Sequence, residues 1–313
     1  MNARHQRRYR RLFQGALPLL MVLTLLMSVP AVAAPPHQLC RTDQLERCTR
    51  ELPLSWREAL STLASSTALP GKERGSPTLP NLLRRLLDGQ GGMTLLLAEE
   101  ALILLNPEVL KRTHLVLLDA HLYEQPSLRS FRSTYYHEVG HVATRHSPWL
   151  EQLQRSDWPG HWPEEVLADL YLYWRLLREG AEEEELWAQL HLRNIGLIQA
   201  RPDWAHWSTP VLMPLLCRFE EVRVWSDWPF PAFLNAALAD TDWPLSAYRG
   251  LGDRQFALTA PAIHQSYLFA DHRERWAALL APTLAWLGVD VPAYLSRHQL
   301  PLVPDSCAME LSQ

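Results

Sequence analysis

Past residue 33 the sequence contains no apolar run of the ~18 residues that a membrane-spanning helix needs, so a multi-span helical membrane protein is excluded. Cysteine is scarce. There are four, none in a C-x-x-C pair, which argues against a zinc site built from four cysteines. No regular repeat is present either. Asp-Trp-Pro occurs at Asp157, Asp227 and Asp242, but the uneven separations exclude a repeat array, and each copy reads as a turn with an anchored tryptophan. Positive charge is in deficit once the first 33 residues are set aside. Five arginines and no acid go with them, and the formal charge falls from −4 to −9. Such a balance suits neither nucleic acid nor an anionic membrane surface.

Those first residues form a targeting segment. Arg4, Arg7, Arg8, Arg10 and Arg11 precede an apolar stretch from Gly15 to Val29, and Ala31-Val32-Ala33 offers a cleavage site. An uncleaved N-terminal anchor is the alternative. No cysteine stands at the cleavage point, so a lipoprotein is not expected. An exported protein, periplasmic or extracellular, fits the cysteines. Cys40 and Cys48 are near neighbours that could close a small loop, and Cys217 and Cys307 could tie the C-terminal half. Three connectivities remain open. The chain is 47% hydrophobic, enough for a sizeable core in one large domain or two lobes.

What the sequence does contain is concentrated in residues 127–169. His137-Glu138-x-x-His141 is an H-E-x-x-H motif. On a helix the two histidines lie one turn apart on one face. Both imidazoles can then reach one Zn²⁺ at about 2.0–2.1 Å, with Glu138 beside it as general base. Leu128, Phe131, Tyr135, Val139 and Val142 recur every three or four residues and predict that helix, with Ser127 as its N-cap. With 13 histidines in the chain, a chance match arises in roughly 3 chains in 100 of this composition, so the motif needs a second element.

A catalytic zinc site needs a third protein ligand. His146 is rotated roughly 140° from His141 on a continuous helix, and His161 sits in a Pro/Gly/Trp-rich loop. Glu165 lies on a new helix opened by Pro163, and Asp169 is one turn further on the same face. Glu165 can ligate while Asp169 takes the N–H of a ligating histidine.

His137-Glu138-x-x-His141 followed by Glu165-x-x-x-Asp169 resembles the gluzincin metallopeptidases, the thermolysin-like clan, and the Ala168-Asp169 variant is similar to the minigluzincins. The resemblance covers about 55 residues. Gly140 is similar to the small residue those families carry inside the motif, and close packing against another backbone explains it. The resemblance implies an α+β, mainly α, zincin-like fold. A small N-terminal sheet would place an edge strand on the motif helix, and the C-terminal half would be helical. Residues 34–180 would form the catalytic region and 181–313 a helical subdomain packed on it. It further implies an exported zinc peptidase acting on a peptide or protein substrate, with His137, His141 and Glu165 as metal ligands, Glu138 as base and Asp169 behind them. A hydrolase of a non-peptide, cell-wall-type amide would use the same residues. A scaffold that kept the fold without the activity is the third reading.

Around this centre, residues 52–63 and 81–87 predict helices. Residues 93–106 fit one helix or a hairpin, because both faces are apolar. Residues 114–119 read as a strand just before the motif helix. By the resemblance it would be the edge that pairs with substrate, and an ordinary buried strand is the alternative. Glu182 to Glu185 open a solvated helix, and residues 201–245 are packed loops with short helices. Residues 262–280 predict a helix carrying His264 and Tyr267. Gluzincin-like peptidases draw a His or Tyr from a downstream element to stabilise the oxyanion; His264 and Tyr267 are the candidates, with Tyr248 and Arg254 as rivals.

Overall fold

The apolar run that fits helix and strand equally well is a strand, and its environment explains the ambiguity. The computed structural model describes residues 37–66, 78–154, 158–198, 201–239, 243–256, 270–303 and 305–307. A three-stranded sheet combines β1 (His37–Arg41), β2 (Gly92–Leu97) and β3 (Glu100–Leu105) in the order β1-β3-β2. β1 runs parallel to β3 and β2 antiparallel. Central β3 is covered on both faces. Leu102 and Leu104 pack under α1 (Leu45–Glu51), α2 (Leu54–Ser66) and α3 (Leu79–Leu86), while Ala101, Ile103 and Leu105 meet Val139 and Val142. A strand sandwiched between two helical layers loses its polar alternation, so periodicity cannot identify it.

β4 (His114–Leu118) and β5 (His121–Gln125) form a separate two-stranded ribbon, turned by Asp119 and Ala120, both at positive φ. The predicted strand therefore exists but is not the edge beside the motif helix. That place belongs to β2, which ends its sheet and packs on α4 (Phe131–Thr144). The cap of α4 also differs from expectation. Ser130, not Ser127, accepts from the Ser133 backbone N–H, and Ser133 Oγ accepts in return from the Ser130 N–H, a reciprocal capping box.

The elements after α4 among the described residues are helices: α5 (Trp149–Leu153), α6 (Trp162–Arg178), α7 (Glu183–Leu197), α8 (Thr209–Cys217), α9 (Phe219–Trp225), α10 (Phe230–Ala237), α11 (Leu245–Phe256), α12 (Ala270–Trp286) and α13 (Val291–Arg297). The architecture is α+β and mainly α. α6 starts with Pro163 in its first turn and ends before Gly180, whose φ of +75° suits a residue without Cβ. It runs through the main core, which draws on residues from Val116 to Leu300, on both sides of residue 180. Trp162, Trp207 and Trp276 are fully buried there, so these tryptophans serve packing. Cys40 pairs with Cys48 and Cys217 with Cys307, which fits an oxidising compartment. Among the described residues no helix is long and apolar enough to cross a membrane. The targeting segment, His264, Tyr267 and the start of the helix predicted over 262–280 lie outside the described residues.

α4 and α6 touch backbone to backbone. A Cβ on Gly140 would lie 2.7 Å from both Cα and O of Ala168. That contact accounts for a glycine that costs α4 about 0.5–1 kcal/mol. Gly140→Ala should therefore destabilise the protein by about 1–3 kcal/mol through overpacking, despite the usual helix preference for alanine. Urea denaturation checks this, and an unchanged or raised midpoint would show that the helices can part freely.

Candidate metal centre

α4 presents His137 and His141 to α6, and α6 presents Glu165 and Asp169 back. His137 Nε2 lies 3.2 Å from His141 Nε2 and 3.1 Å from Glu165 Oε2, and His141 Nε2 lies 3.6 Å from Glu165 Oε1. Two ligand atoms on a tetrahedral Zn²⁺, each at 2.0–2.2 Å, are separated by about 3.3–3.6 Å. The three separations, 3.1–3.6 Å, come within about 0.2 Å of what one small cation requires. His137, His141 and Glu165 form a buried group that could hold a metal ion. Glu165 Oε2 supplies a second sign. It is buried and makes no contact of hydrogen-bond geometry among the described residues, although imidazole nitrogens of His137 and His206 stand 3.1 and 3.3 Å away. A buried carboxylate oxygen left in that state is costly unless a cation completes it.

Behind the group, Asp169 is 1% exposed and fully engaged. His137 Nδ1 donates to its Oδ1 at 2.8 Å, Arg193 Nε to its Oδ2 at 2.8 Å, and Arg193 Nη2 and Ser208 Oγ add close hydrogen bonds. Arg193 Nη2 also lies 3.1 Å from His137 Nδ1, but both are donors, and the carboxylate between them accepts from both. With the Nδ1 proton fixed, His137 turns its Nε2 lone pair toward the shared point.

The electrostatics repeat the demand for a cation. Burial and Arg193 oppose a charged His137, yet the Asp169 and Glu165 carboxylates raise its pKa to about 9. Burial first, then the charge on His137, lowers His141 to about 4. Glu165 is buried too, but its imidazole neighbours bring it down to about 2. Asp169 is held well below the carboxylate range: burial works against its charge, and Arg193 and His137 overcome it. The metal-free cluster therefore keeps one proton where a metal ion would sit.

Glu138 is buried beside these residues and accepts from Thr94 Oγ1 at 2.8 Å. Burial raises its pKa, with His137 and Thr94 opposing. Gly92, the first residue of β2, leaves room for this carboxylate, since a Cβ there would lie 2.6 Å from Glu138 Oε1. The other predicted residues fall elsewhere. His146 is exposed near Glu99, and His161 is exposed at the start of α6. Tyr248 is packed against Trp207 and Trp276, and Arg254 bonds the Gly250 carbonyl of its own helix.

Sequence reasoning missed Thr94, Arg193, His206 and Ser208. His206 Nε2 lies 3.3 Å from Glu165, and its Nδ1 is 2.8 Å from Asp203 Oδ2. His206 carried a signal in Asp203-x-x-His206, a one-turn spacing in a Trp-rich loop. Arg193 had a weaker one, as the one charged residue in the second half of α7. No family model, curated protein or solved structure matches the chain.

Because a metal must displace the His137 proton, apparent Zn²⁺ affinity should rise about tenfold per pH unit from pH 7 and level off near pH 9. Asp169→Asn should weaken affinity at the plateau by about 10–100-fold. Chelator competition across pH measures both. A pH-independent affinity, or one indifferent to Asp169, would disconnect these residues from metal binding.

Proposed function

We propose that the protein is an exported zinc-dependent peptidase of gluzincin type. The observation that carries the reading is the convergence of His137, His141 and Glu165 at metal-ligand spacing, with the Glu138 carboxylate buried beside them. The N/N/O donor set fits a tetrahedral Zn²⁺ better than Mg²⁺ or Ca²⁺, which prefer six or more oxygens. A Zn²⁺ ion held there would acidify a bound water and polarise a carbonyl.

The residues divide the remaining work. Glu138, with a pKa raised by burial, takes a proton from the attacking water and returns it to the leaving amine. Thr94 holds the Glu138 carboxylate in place through its hydroxyl. Asp169 fixes the His137 ring, and Arg193 and Ser208 fix Asp169. His206 takes over the oxyanion role that the sequence assigned to His264 or Tyr267. Asp203 accepts from Nδ1 and orients the ring, and an N–H at Nε2, beside Glu165, would donate to charge developing on the carbonyl oxygen. β2 supplies the substrate edge. Its outer side, unpaired among the described strands, offers N–H and C=O groups to an extended peptide next to α4.

Glu138→Gln should keep near one Zn²⁺ per chain and lower peptide hydrolysis by about 10²–10⁴-fold. His206→Gln should lower kcat by about 10²-fold with metal retained. Metal analysis alongside digestion of a mixed peptide library reads both. A Glu138→Gln protein that binds zinc and digests peptides at the parental rate removes the proposed base. Cleavage of cell-wall amides but of no peptide would redirect the reading to the other amide class.

A further inference from the structure

A cavity of about 230 Å³ opens beside His137 and Glu138. It is below the ~300–1,000 Å³ of pockets that enclose drug-sized ligands, so it fits one small group. Four charged side chains besides His137 and His206 line it: Arg129, Glu138, Arg193 and Asp203. Three of them are committed. Arg193 is engaged by Asp169. Asp203 accepts from the His206 Nδ1 at 2.8–2.9 Å. Glu138 accepts from Thr94 and, in the mechanism above, faces the reacting water.

Arg129 differs. Its guanidinium makes no ion pair and no hydrogen bond among the described residues, yet it is partly buried against the wall of the cavity. Its place is built rather than incidental. Its backbone N–H donates to Ser127 Oγ at 3.2 Å. Its Nη1 lies over Gly91, where a Cβ would come within 2.9 Å. Burial first, and then repulsion from Arg193, lower the Arg129 pKa, with Asp203 and Glu138 opposing. A cation held in such a position, with its planar donor fork free, is suited to an anion that the ligand brings.

We propose that Arg129 binds a carboxylate of the substrate. The enzyme then favours peptides with a carboxylate near the scissile bond. This rests on the peptidase reading. The carboxylate comes either from the free C-terminus or from an acidic side chain. Both present the same two oxygens to the guanidinium, and the small cavity accommodates either. Arg129 is a specificity residue here, separate from the proton transfers assigned to Glu138.

Three probes test this by isothermal titration on zinc-loaded Glu138→Gln protein: N-acetyl-trialanine, its C-terminal amide, and the amide of N-acetyl-alanyl-glutamyl-alanine. At least one carboxylate probe should bind about tenfold or more tightly than the neutral amide. A preference for the first assigns the C-terminus, and for the third the side chain. Arg129→Gln in the same background should abolish the preference, and Arg129→Lys should restore part of it. Equal binding of acid and amide overturns the proposal, as does no measurable binding of either carboxylate probe, or a preference that survives Arg129→Gln. The first comparison needs no change at Arg129, so a misfolded variant does not obscure it. Wild-type protein given the same peptides separates the two readings. Carboxylate preference without hydrolysis leaves the Arg129 site standing and removes the peptidase. Hydrolysis without preference does the reverse.

Discussion

The structure depends on how closely α4 approaches α6. With no side chain at position 140, the backbone of Ala168 comes within the space that a Cβ would fill. Only at that separation can residues on facing turns share one point. Glu165, one turn before Asp169, then reaches the Nε2 atoms of His137 and His141, and Asp169 reaches the Nδ1 atom of His137. A wider crossing would separate the His137 Nδ1 from Asp169 and the Glu165 carboxylate from both imidazoles, which is costly for groups buried there. The glycine and the ligands are parts of one constraint.

Charge then decides what this arrangement is for. Asp169 is neutralised by Arg193 and fixed by Ser208 and His137, so it contributes orientation more than net charge to the cluster. Glu165 is not balanced in the same way. Its one orphaned oxygen, and two imidazole nitrogens 3.2 Å apart, together call for a positive species between them. A proton on His137 meets that demand incompletely, since it can satisfy only one of the acceptors. A divalent ion meets it for all three. The sheet contributes from the other side of α4: Ile103 and Leu105 hold its apolar face, and Thr94 on β2 holds the Glu138 carboxylate. A rigid apolar backing behind α4 is what keeps its polar face in register with α6.

Much of the centre was legible in the sequence because it is local. His137, Glu138 and His141 sit within five residues, and Glu165 and Asp169 within another five, so helical geometry alone predicts their faces. Gly140 was legible through the family resemblance and through the cost of a glycine inside a helix. Residues that arrive from afar were not. Thr94 comes from a strand paired to one whose two-sided burial hid its type, and Arg193 and His206 reach the site through helix packing and a loop path that no periodicity encodes. The strand at 114–118 was read correctly as a strand but given the wrong neighbour. Chain order placed it next to the motif helix, whereas pairing with β5 drew it into its own ribbon. Ser127 was displaced as cap by Ser130 because Ser133 supplies the reciprocal bond that fixes the helix start.

The central claim is that two imidazoles and one carboxylate from facing helices hold a single ion. X-ray absorption at the zinc edge, on full-length protein purified without added metal and then loaded with one equivalent of Zn²⁺, tests it most directly. The account predicts a four-coordinate ion with two imidazole nitrogens at about 2.0–2.1 Å and two oxygens at about 2.0–2.2 Å, one from Glu165 and one from water, with one oxygen contribution altered in Glu165→Ala. A spectrum with sulfur ligands, a six-oxygen shell, or no change on removing the Glu165 carboxylate would contradict it.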